Sequence, residues 1–342
     1  MNNLLIRVNS TYESGMGHFM RCLALGQKWQ NEKGEVYFLI NDNDNIKERI
    51  LNENMKFIVT SKDSGDKDDQ LFLLSNVDKY DISWVIVDGY VFKEDYFDFL
   101  RLNNLNFLIF DDDGGLTHYN SNLVLNQNLH GDKNWYLNKK ESYTDLLIGT
   151  DYVLLRNEFL DYVGSKKTIK NQAKNILITL GGSDVNNYSL DIVDALNGCM
   201  AKDLEVIVLI GANNIHEKEI QTFIDSIDLN VKILRNISNM PEIMQWADLT
   251  FSSGGTSVWE LAFMGVPTIV GSTSHVEEVL LTGLNDEGLF KTIGKLDNLN
   301  KTELTAIFDE LILNKDLREK MSFKAQKFID GRGSQRVINF MN

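Results

Sequence analysis

The chain has 342 residues, 43% of them hydrophobic, and a formal net charge of −15 at pH 7. That length is enough for two ordinary domains with a core each. The acidic balance argues against a nucleic-acid surface or an anionic membrane patch as the main partner, although a local pocket can still take a phosphate. No apolar run reaches bilayer length, and the N-terminus lacks the basic start and apolar core of a signal peptide, so a cytoplasmic protein without membrane insertion is expected. The two cysteines, Cys22 and Cys199, have no spacing that suggests a disulfide framework or a zinc site.

In chain order, the first half alternates short apolar runs with amphipathic stretches. Strands are predicted near 4–8, 35–40, 56–59, 83–87 and 105–110, and helices near 18–31, 44–53, 68–79 and 92–102. This is the pattern of a doubly wound parallel sheet. Between the first strand and the first helix stands Gly15-Met16-Gly17-His18-Phe19-Met20-Arg21. Such turns are where open α/β sheets bind ligands, and glycines 15 and 17 permit backbone shapes and close approach that a side chain would forbid. His18, near a helix N-terminus, is expected to stay neutral and serve as a general base; helix capping is the plainer alternative. Arg21, one turn on, could orient the ligand or an acidic partner, or form a salt bridge. No third glycine completes a dinucleotide fingerprint.

Ser83-Trp84-Val85-Ile86-Val87-Asp88-Gly89-Tyr90 is the clearest strand. It places Asp88 and Tyr90 at the carboxyl edge, where Asp88 either faces the crevice or caps the next helix. Asp111-Asp112-Asp113-Gly114-Gly115 reads as a mostly solvated acidic turn rather than a metal site. Leu123–Asn128 and Tyr152–Phe159 are expected to complete the first sheet. Residues 164–171 read as a linker, giving domains at 1–163 and 172–330, with a last helix in 331–342 that returns to the first domain.

The second half repeats the grammar. The strand Lys174–Leu180 runs into Gly181-Gly182-Ser183-Asp184, and further strands are predicted near 204–210, 230–234, 248–252 and 267–271. Ser253-Gly254-Gly255-Thr256-Ser257 leads from another strand into a helix, so that amides 254 to 257 and three hydroxyls can converge on a diphosphate. Glu260 lies where a carboxylate can accept both hydroxyls of a ribose, although Ser257 and Glu260 also fit a capping box. Nothing resembles a lysine-bearing P-loop. A nucleoside diphosphate site in one domain and a base in the other point to a nucleotide sugar.

With those residues in hand, the chain resembles the UDP-2,4-diacetamido-2,4,6-trideoxy-β-L-altropyranose hydrolases of pseudaminic acid biosynthesis, and more distantly the GT-B glycosyltransferases that make lipid II. The similarity rests on GMGHFMRC at 15–22, VIVDGY at 85–90, LNQN at 125–128, GTDYVLLRNEF at 149–159, ILITLGGSD at 176–184 and SSGGTSVWEL at 252–261. It implies a GT-B fold, two doubly wound Rossmann-like domains facing across a cleft, with UDP held mainly by the C-terminal one. It also implies hydrolysis with inversion, His18 activating water, and Arg156 and Glu260 contacting substrate or UDP. With helix N-termini stabilising the charge on the leaving diphosphate, neither metal nor cofactor is expected, and Asp88 and Tyr90 are expected to line the sugar pocket. The alternative is an inverting glycosyltransferase, in which the same histidine deprotonates a saccharide or lipid hydroxyl.

Overall fold

In the computed structural model, residues 2–9, 16–182, 184–211, 214–235, 237 and 239–342 are described, except for the side chains of Val276, Thr282, Asn285 and Asp286. The chain divides into two compact units, 1–157 with 331–342, and 158–330.

The first unit contains β1 (Asn3–Val8), α1 (Gly17–Glu32), β2 (Val36–Asn41), α2 (Asp44–Asn52), β3 (Lys56–Thr60), α3 (Lys67–Lys79), β4 (Ile82–Asp88), α4 (Glu94–Leu102), β5 (Phe107–Phe110), β6 (Leu123–Asn126) and β7 (Asp145–Ile148). All pairings in its seven-stranded sheet are parallel, in the order β3-β2-β1-β4-β5-β6-β7. Tyr152–Phe159 adds no strand. Its place at the sheet edge is taken by Asp145–Ile148, and the 152–159 stretch passes from a 3-10 turn into the short α5 (Asn157–Leu160). Two glutamines pin that stretch: Gln127 Oε1 accepts from Leu154 N at 3.1 Å, and Gln27 Oε1 accepts from Asn157 N at 2.8 Å.

Side chains alternate across a strand, and both faces of this sheet are covered. Leu4, Ile6, Val8, Trp84, Ile86 and Leu108 pack in one cluster with Phe19, Cys22 and Leu23 of α1. Leu5, Val85, Val87, Phe107 and Ile109 point the other way, against Leu73 of α3 and Tyr96 and Leu100 of α4. Arg7 shares the second face with Leu5, and there it forms a fully buried ion pair with Asp69, Nη2 to Oδ1 at 3.1 Å. The same guanidinium donates to Leu39 O and Ser64 Oγ, tying the ends of β1 and β2 to the loop before α3.

The second unit contains β8 (Asn175–Thr179), α6 (Tyr188–Asn197), β9 (Glu205–Ile210), α7 (Glu217–Ile224), β10 (Asn230–Arg235), α8 (Met240–Trp246), β11 (Leu249–Ser253), α9 (Ser257–Met264), β12 (Thr268–Ser272), α10 (His275–Glu287), β13 (Lys291–Lys295), α11 (Lys301–Leu313) and α12 (Lys315–Phe328). Its six-stranded sheet is also parallel, in the order β10-β9-β8-β11-β12-β13. Residues 164–171 are not a free tether. Lys167 Nζ donates to Met244 O at 3.0 Å, Arg318 donates to the carbonyls of Lys170 and Asn171, and the Asp248 carboxylate accepts from Lys170 Nζ and from the amides of Lys174 and Asn175. Among the described residues, no helix is long and apolar enough to cross a membrane.

The final helix, α13 (Gly333–Phe340), places Val337, Ile338 and Met341 in the same cluster as α1. Its first residue must be glycine, because a Cβ there would stand 2.0 Å from Val153 O. Gly333→Ala is therefore expected to lift α13 from its seat and destabilise the first unit by roughly 1–3 kcal/mol, the usual cost of overpacking. A lowered melting temperature and faster proteolysis around 329–335 are the readouts.

Candidate functional site

In a doubly wound sheet, ligands bind where the strand order reverses, outside the carboxyl ends of the strands. The first unit reverses between β1 and β4, and the second between β8 and β11. Both glycine motifs fall at these points.

In the first unit, His18 is the second residue of α1, and Met16 holds the N-cap position. His18 thus does not cap the helix. Gly17 has no left-handed backbone, so the turn does not rely on its conformational freedom. Gly15 lies outside the described residues. His18, Arg21 and Cys22, at i, i+3 and i+4, share the face of α1 that looks onto the sheet. Trp84, Ile86 and Asp88 share the matching face of β4, so the alternation that buries two apolar side chains delivers a carboxylate at the strand's end.

The contacts are short. His18 Nδ1 lies 2.7 Å from Asp88 Oδ1, and Arg21 donates to the same carboxylate through Nε to Oδ2 at 2.7 Å and Nη2 to Oδ1 at 2.7 Å. Asp88 is therefore not a helix cap, and α4 is preceded by Lys93 instead. Burial pushes the Asp88 carboxyl up, but Arg21 and then His18 overcome this and hold it well below the usual carboxylate range. An ionised carboxylate has no proton to donate, so the 2.7 Å contact is Nδ1–H donating to Oδ1. In the neutral imidazole that leaves Nε2 as the lone-pair nitrogen, and no hydrogen bond from a described residue reaches it.

Asp112, expected in a solvated acidic turn, belongs to this group. It is 5% exposed and accepts from Arg21 Nη1 at 2.8 Å, Arg21 Nη2 at 3.1 Å, Tyr90 Oη at 2.9 Å and Asn128 Nδ2 at 2.9 Å. Burial raises its carboxyl and Arg21 more than compensates, so the net displacement is downward. Asp111 is half-buried and accepts three successive backbone amides and the Tyr119 hydroxyl, while Asp113 alone of the three is exposed. Among the described residues, no three His, Cys, Asp or Glu side chains are grouped to hold a metal ion. Tyr90 stands edge-on to His18, ring centroids 4.9 Å apart, and half of it is exposed. Arg21 also lies 4.7 Å from the centre of the Phe110 ring. Arg156 is buried in the stretch pinned by Gln27 and Gln127, and the hydrogen bonds that assemble the His18 group come from other residues.

In the second unit, Gly181 takes the left-handed conformation after β8, at φ 80°, and Gly182 follows; Ser183 lies outside the described residues. The Asp184 carboxylate accepts from Tyr188 N and Ser189 N, closing the start of α6. At the end of β11, Ser253 is buried, and the Gly254 amide donates to Gly271 O at 3.1 Å, which removes it from the expected set of anion donors. The amides of Gly255, Thr256 and Ser257 meet no acceptor among the described residues. Thr256 is the N-cap of α9 and makes no side-chain cap hydrogen bond. Ser257 is then the first helical residue and Glu260 the fourth, so the pair does not form a capping box.

Comparisons with known proteins agree with this architecture. Residues 175–280 match the glycosyltransferase family 28 C-terminal domain. An uncharacterised protein of Methanocaldococcus jannaschii is 29% identical over 276 residues, which are 78% of this chain and 55% of that one. The spore coat polysaccharide biosynthesis protein SpsG of Bacillus subtilis is 22% identical over 95% of this chain and 94% of its own length. A UDP-N-acetylglucosamine–N-acetylmuramyl-(pentapeptide) pyrophosphoryl-undecaprenol N-acetylglucosamine transferase of Leuconostoc citreum is 28% identical over 46% of this chain and 45% of its own. The chain thus spans about half the length of the first and third of these relatives. Among solved structures, Acinetobacter baumannii MurG superposes with a TM-score of 0.68 at 15% identity, covering 100% of this chain and 99% of its own. The UDP-GlcNAc 2-epimerase of Neisseria meningitidis, bound to UDP-GlcNAc, gives 0.67 at 16%, with 100% and 99% covered. The fold is GT-B: two parallel-sheet, Rossmann-like domains.

The charge group makes its own prediction. Asp88 and Asp112 are held below the unfolded carboxylate value of about 3.9, so in the wild type they contribute stability above about pH 4 that is lost as pH falls through the folded values. Arg21→Met leaves two buried carboxylates with only the His18 imidazole to offset them. The variant should lose about 3–5 kcal/mol near pH 7 and recover stability on acidification to pH 5, a slope opposite to the wild type. Thermal melts at the two pH values check it.

Proposed function

We propose that the chain acts on a UDP-linked sugar, displacing UDP from the anomeric carbon with an oxygen nucleophile that His18 deprotonates. One observation carries this reading: the 2.7 Å contact from His18 Nδ1 to the ionised Asp88, which turns the Nε2 lone pair into the acceptor. In the step, the nucleophile's proton passes to Nε2 as its oxygen bonds to the anomeric carbon. The bond from that carbon to the diphosphate oxygen breaks, its electron pair leaves with UDP, and the configuration inverts. Asp88 stabilises the imidazolium that forms.

The second unit would hold the nucleotide. The amides of Gly255, Thr256 and Ser257 at the start of α9, together with the Gly181-Gly182-Ser183 turn, supply donors for the charge growing on the diphosphate. Glu260, one turn into α9, suits the two hydroxyls of a ribose. The cluster in the first unit and the amide-rich turns in the second thus divide the work between proton transfer and leaving-group binding.

The match to the glycosyltransferase family 28 C-terminal domain and the Leuconostoc citreum transferase favour glycosyl transfer, with a saccharide or lipid hydroxyl as the nucleophile. Hydrolysis is the second reading. The motifs at 15–22, 85–90 and 149–159 favour it, as does the acidic, polar run at 61–69, where a lipid-facing enzyme would carry a basic or apolar patch.

Incubating the protein with a UDP-sugar, with and without acceptor, separates the two. UDP and free reducing sugar released without acceptor mean hydrolysis; UDP release that needs acceptor means transfer. In either case His18→Asn should lower turnover by about 10²- to 10⁴-fold, the usual contribution of a general base, with UDP affinity unchanged. Turnover within a few-fold of wild type, about 1 kcal/mol, would remove His18 as the base. Glu260→Ala should weaken UDP binding by about tenfold, or 1.4 kcal/mol, measured by calorimetry; unaltered affinity would take the ribose contact away from it.

A further inference from the structure

The mechanism above uses one carboxylate of the buried group, and the structure contains two. Asp112 follows β5 with the alternation of Leu108 and Phe110, which brings it to the α1 side of the sheet. Four donors from three side chains converge on it: Arg21 Nη1, Arg21 Nη2, Tyr90 Oη and Asn128 Nδ2. Its backbone carbonyl lies 3.2 Å from His130 Nε2 and accepts from it. An ionised carboxylate held so firmly could be explained as scaffolding, but the geometry of Arg21 gives it a more specific task.

Arg21 Nη2 carries two hydrogens. One goes to Asp88 Oδ1 at 2.7 Å and the other to Asp112 Oδ2 at 3.1 Å. The same nitrogen lies 3.0 Å from His18 Nδ1. With both hydrogens engaged, that contact joins two groups already donating elsewhere. Deprived of Asp112, Nη2 would have a free N–H within hydrogen-bond distance of an imidazole nitrogen. Donation would then compete with the Nδ1–H bond to Asp88 for that nitrogen and shift the balance toward the tautomer in which Nδ1 bears the lone pair and Nε2 the proton. That tautomer cannot act as the base.

We propose that Asp112 is a positioning residue that, by taking the second Nη2 hydrogen of Arg21, keeps His18 in the tautomer whose Nε2 accepts a proton. The charges point the same way. Arg21 alone would cancel Asp88; with Asp112 the group facing the imidazole carries a net charge of −1, which favours the imidazolium as it forms. The proposal rests on His18 being the base, yet its central claim concerns a tautomer that can be observed without turnover.

The test is nitrogen NMR of the full chain labelled with ¹⁵N-histidine, the His18 signals being those lost in His18→Asn. The wild type should show Nδ1 protonated and Nε2 bare. Asp112→Asn, which keeps the shape but removes the charge and leaves a single acceptor oxygen for Arg21 Nη1 and Nη2 to share, should move His18 toward the opposite tautomer; Asp112→Glu should restore the wild-type pattern. With a UDP-sugar, kcat of Asp112→Asn should fall by roughly 10- to 100-fold while KM stays within about twofold, the mark of an interaction that matters in the transition state. A wild-type tautomer in folded Asp112→Asn overturns the proposal. Should that variant not fold, as judged by the other four histidines, a wild type with Nε2 protonated overturns it equally. Tautomer control without any turnover supports the role of Asp112 and removes the functional reading; turnover without tautomer control does the reverse.

Discussion

A single guanidinium organises the first unit. Arg21 is buried against Phe110, and a cation taken out of water must be matched by anions and hydrogen bonds or the fold loses several kcal/mol. It is matched twice, by Asp88 at the end of β4 and by Asp112 after β5, in two forked arrangements that leave little rotational freedom. That requirement fixes the spacing of α1 from two neighbouring strand ends. It also fixes the imidazole one turn before Arg21, because His18 reaches the carboxylate that Arg21 already orients. The His18 imidazole is thus positioned by charge pairing among elements of regular structure, and a site built on strand ends and a helix is more rigid than one built on loops alone.

The same alternation that buries the core explains which parts of this arrangement could be read in the sequence. Asp88 and Tyr90 are legible because they end a long apolar run, and His18 and Arg21 because the glycines at 15 and 17 mark the hand-over from strand to helix. Asp112 is not, because three aspartates before two glycines carry the composition of an exposed turn. The signal that distinguishes it is parity: Leu108 and Phe110 face α1, and two residues further the chain still does. Short strands fared worse for a related reason. Tyr152–Phe159 has the apolar content of a strand, but the two glutamines satisfy its backbone outside the sheet, and Asp145–Ile148, with only four residues, supplies the edge. Tertiary hydrogen bonds that no local pattern announces decided between them.

The two units use one topology for different physical ends. At the reversal between β1 and β4, the strand ends carry ionisable groups, and the N-terminal turn of α1 contributes a side chain. At the reversal between β8 and β11, the turns carry glycine, serine and threonine, and α9 offers backbone amides. An uncharged set of fixed dipoles suits a polyanion whose charge grows during reaction, since it needs no partner of its own when the ligand is absent. A charged set suits a proton acceptor, whose two states differ by a full charge.

This division bears on how far likeness to known proteins carries. The match to the family 28 C-terminal domain covers residues 175–280 and therefore contains Gly181, Gly182 and the 253–260 turn, but none of His18, Arg21, Asp88 or Asp112. What it transfers to this chain concerns the second unit. Structures that superpose on the whole chain include transferases and epimerases at 12–16% identity, so the shared fold does not select a reaction. A base treats the O–H of water and of a sugar alike; the cluster that holds His18 can be common to both chemistries while the groups that admit one nucleophile differ. What selects the reaction accordingly lies outside that match, and in the first unit the charge pairing of Arg21 with Asp88 and Asp112 holds the His18 imidazole through Nδ1.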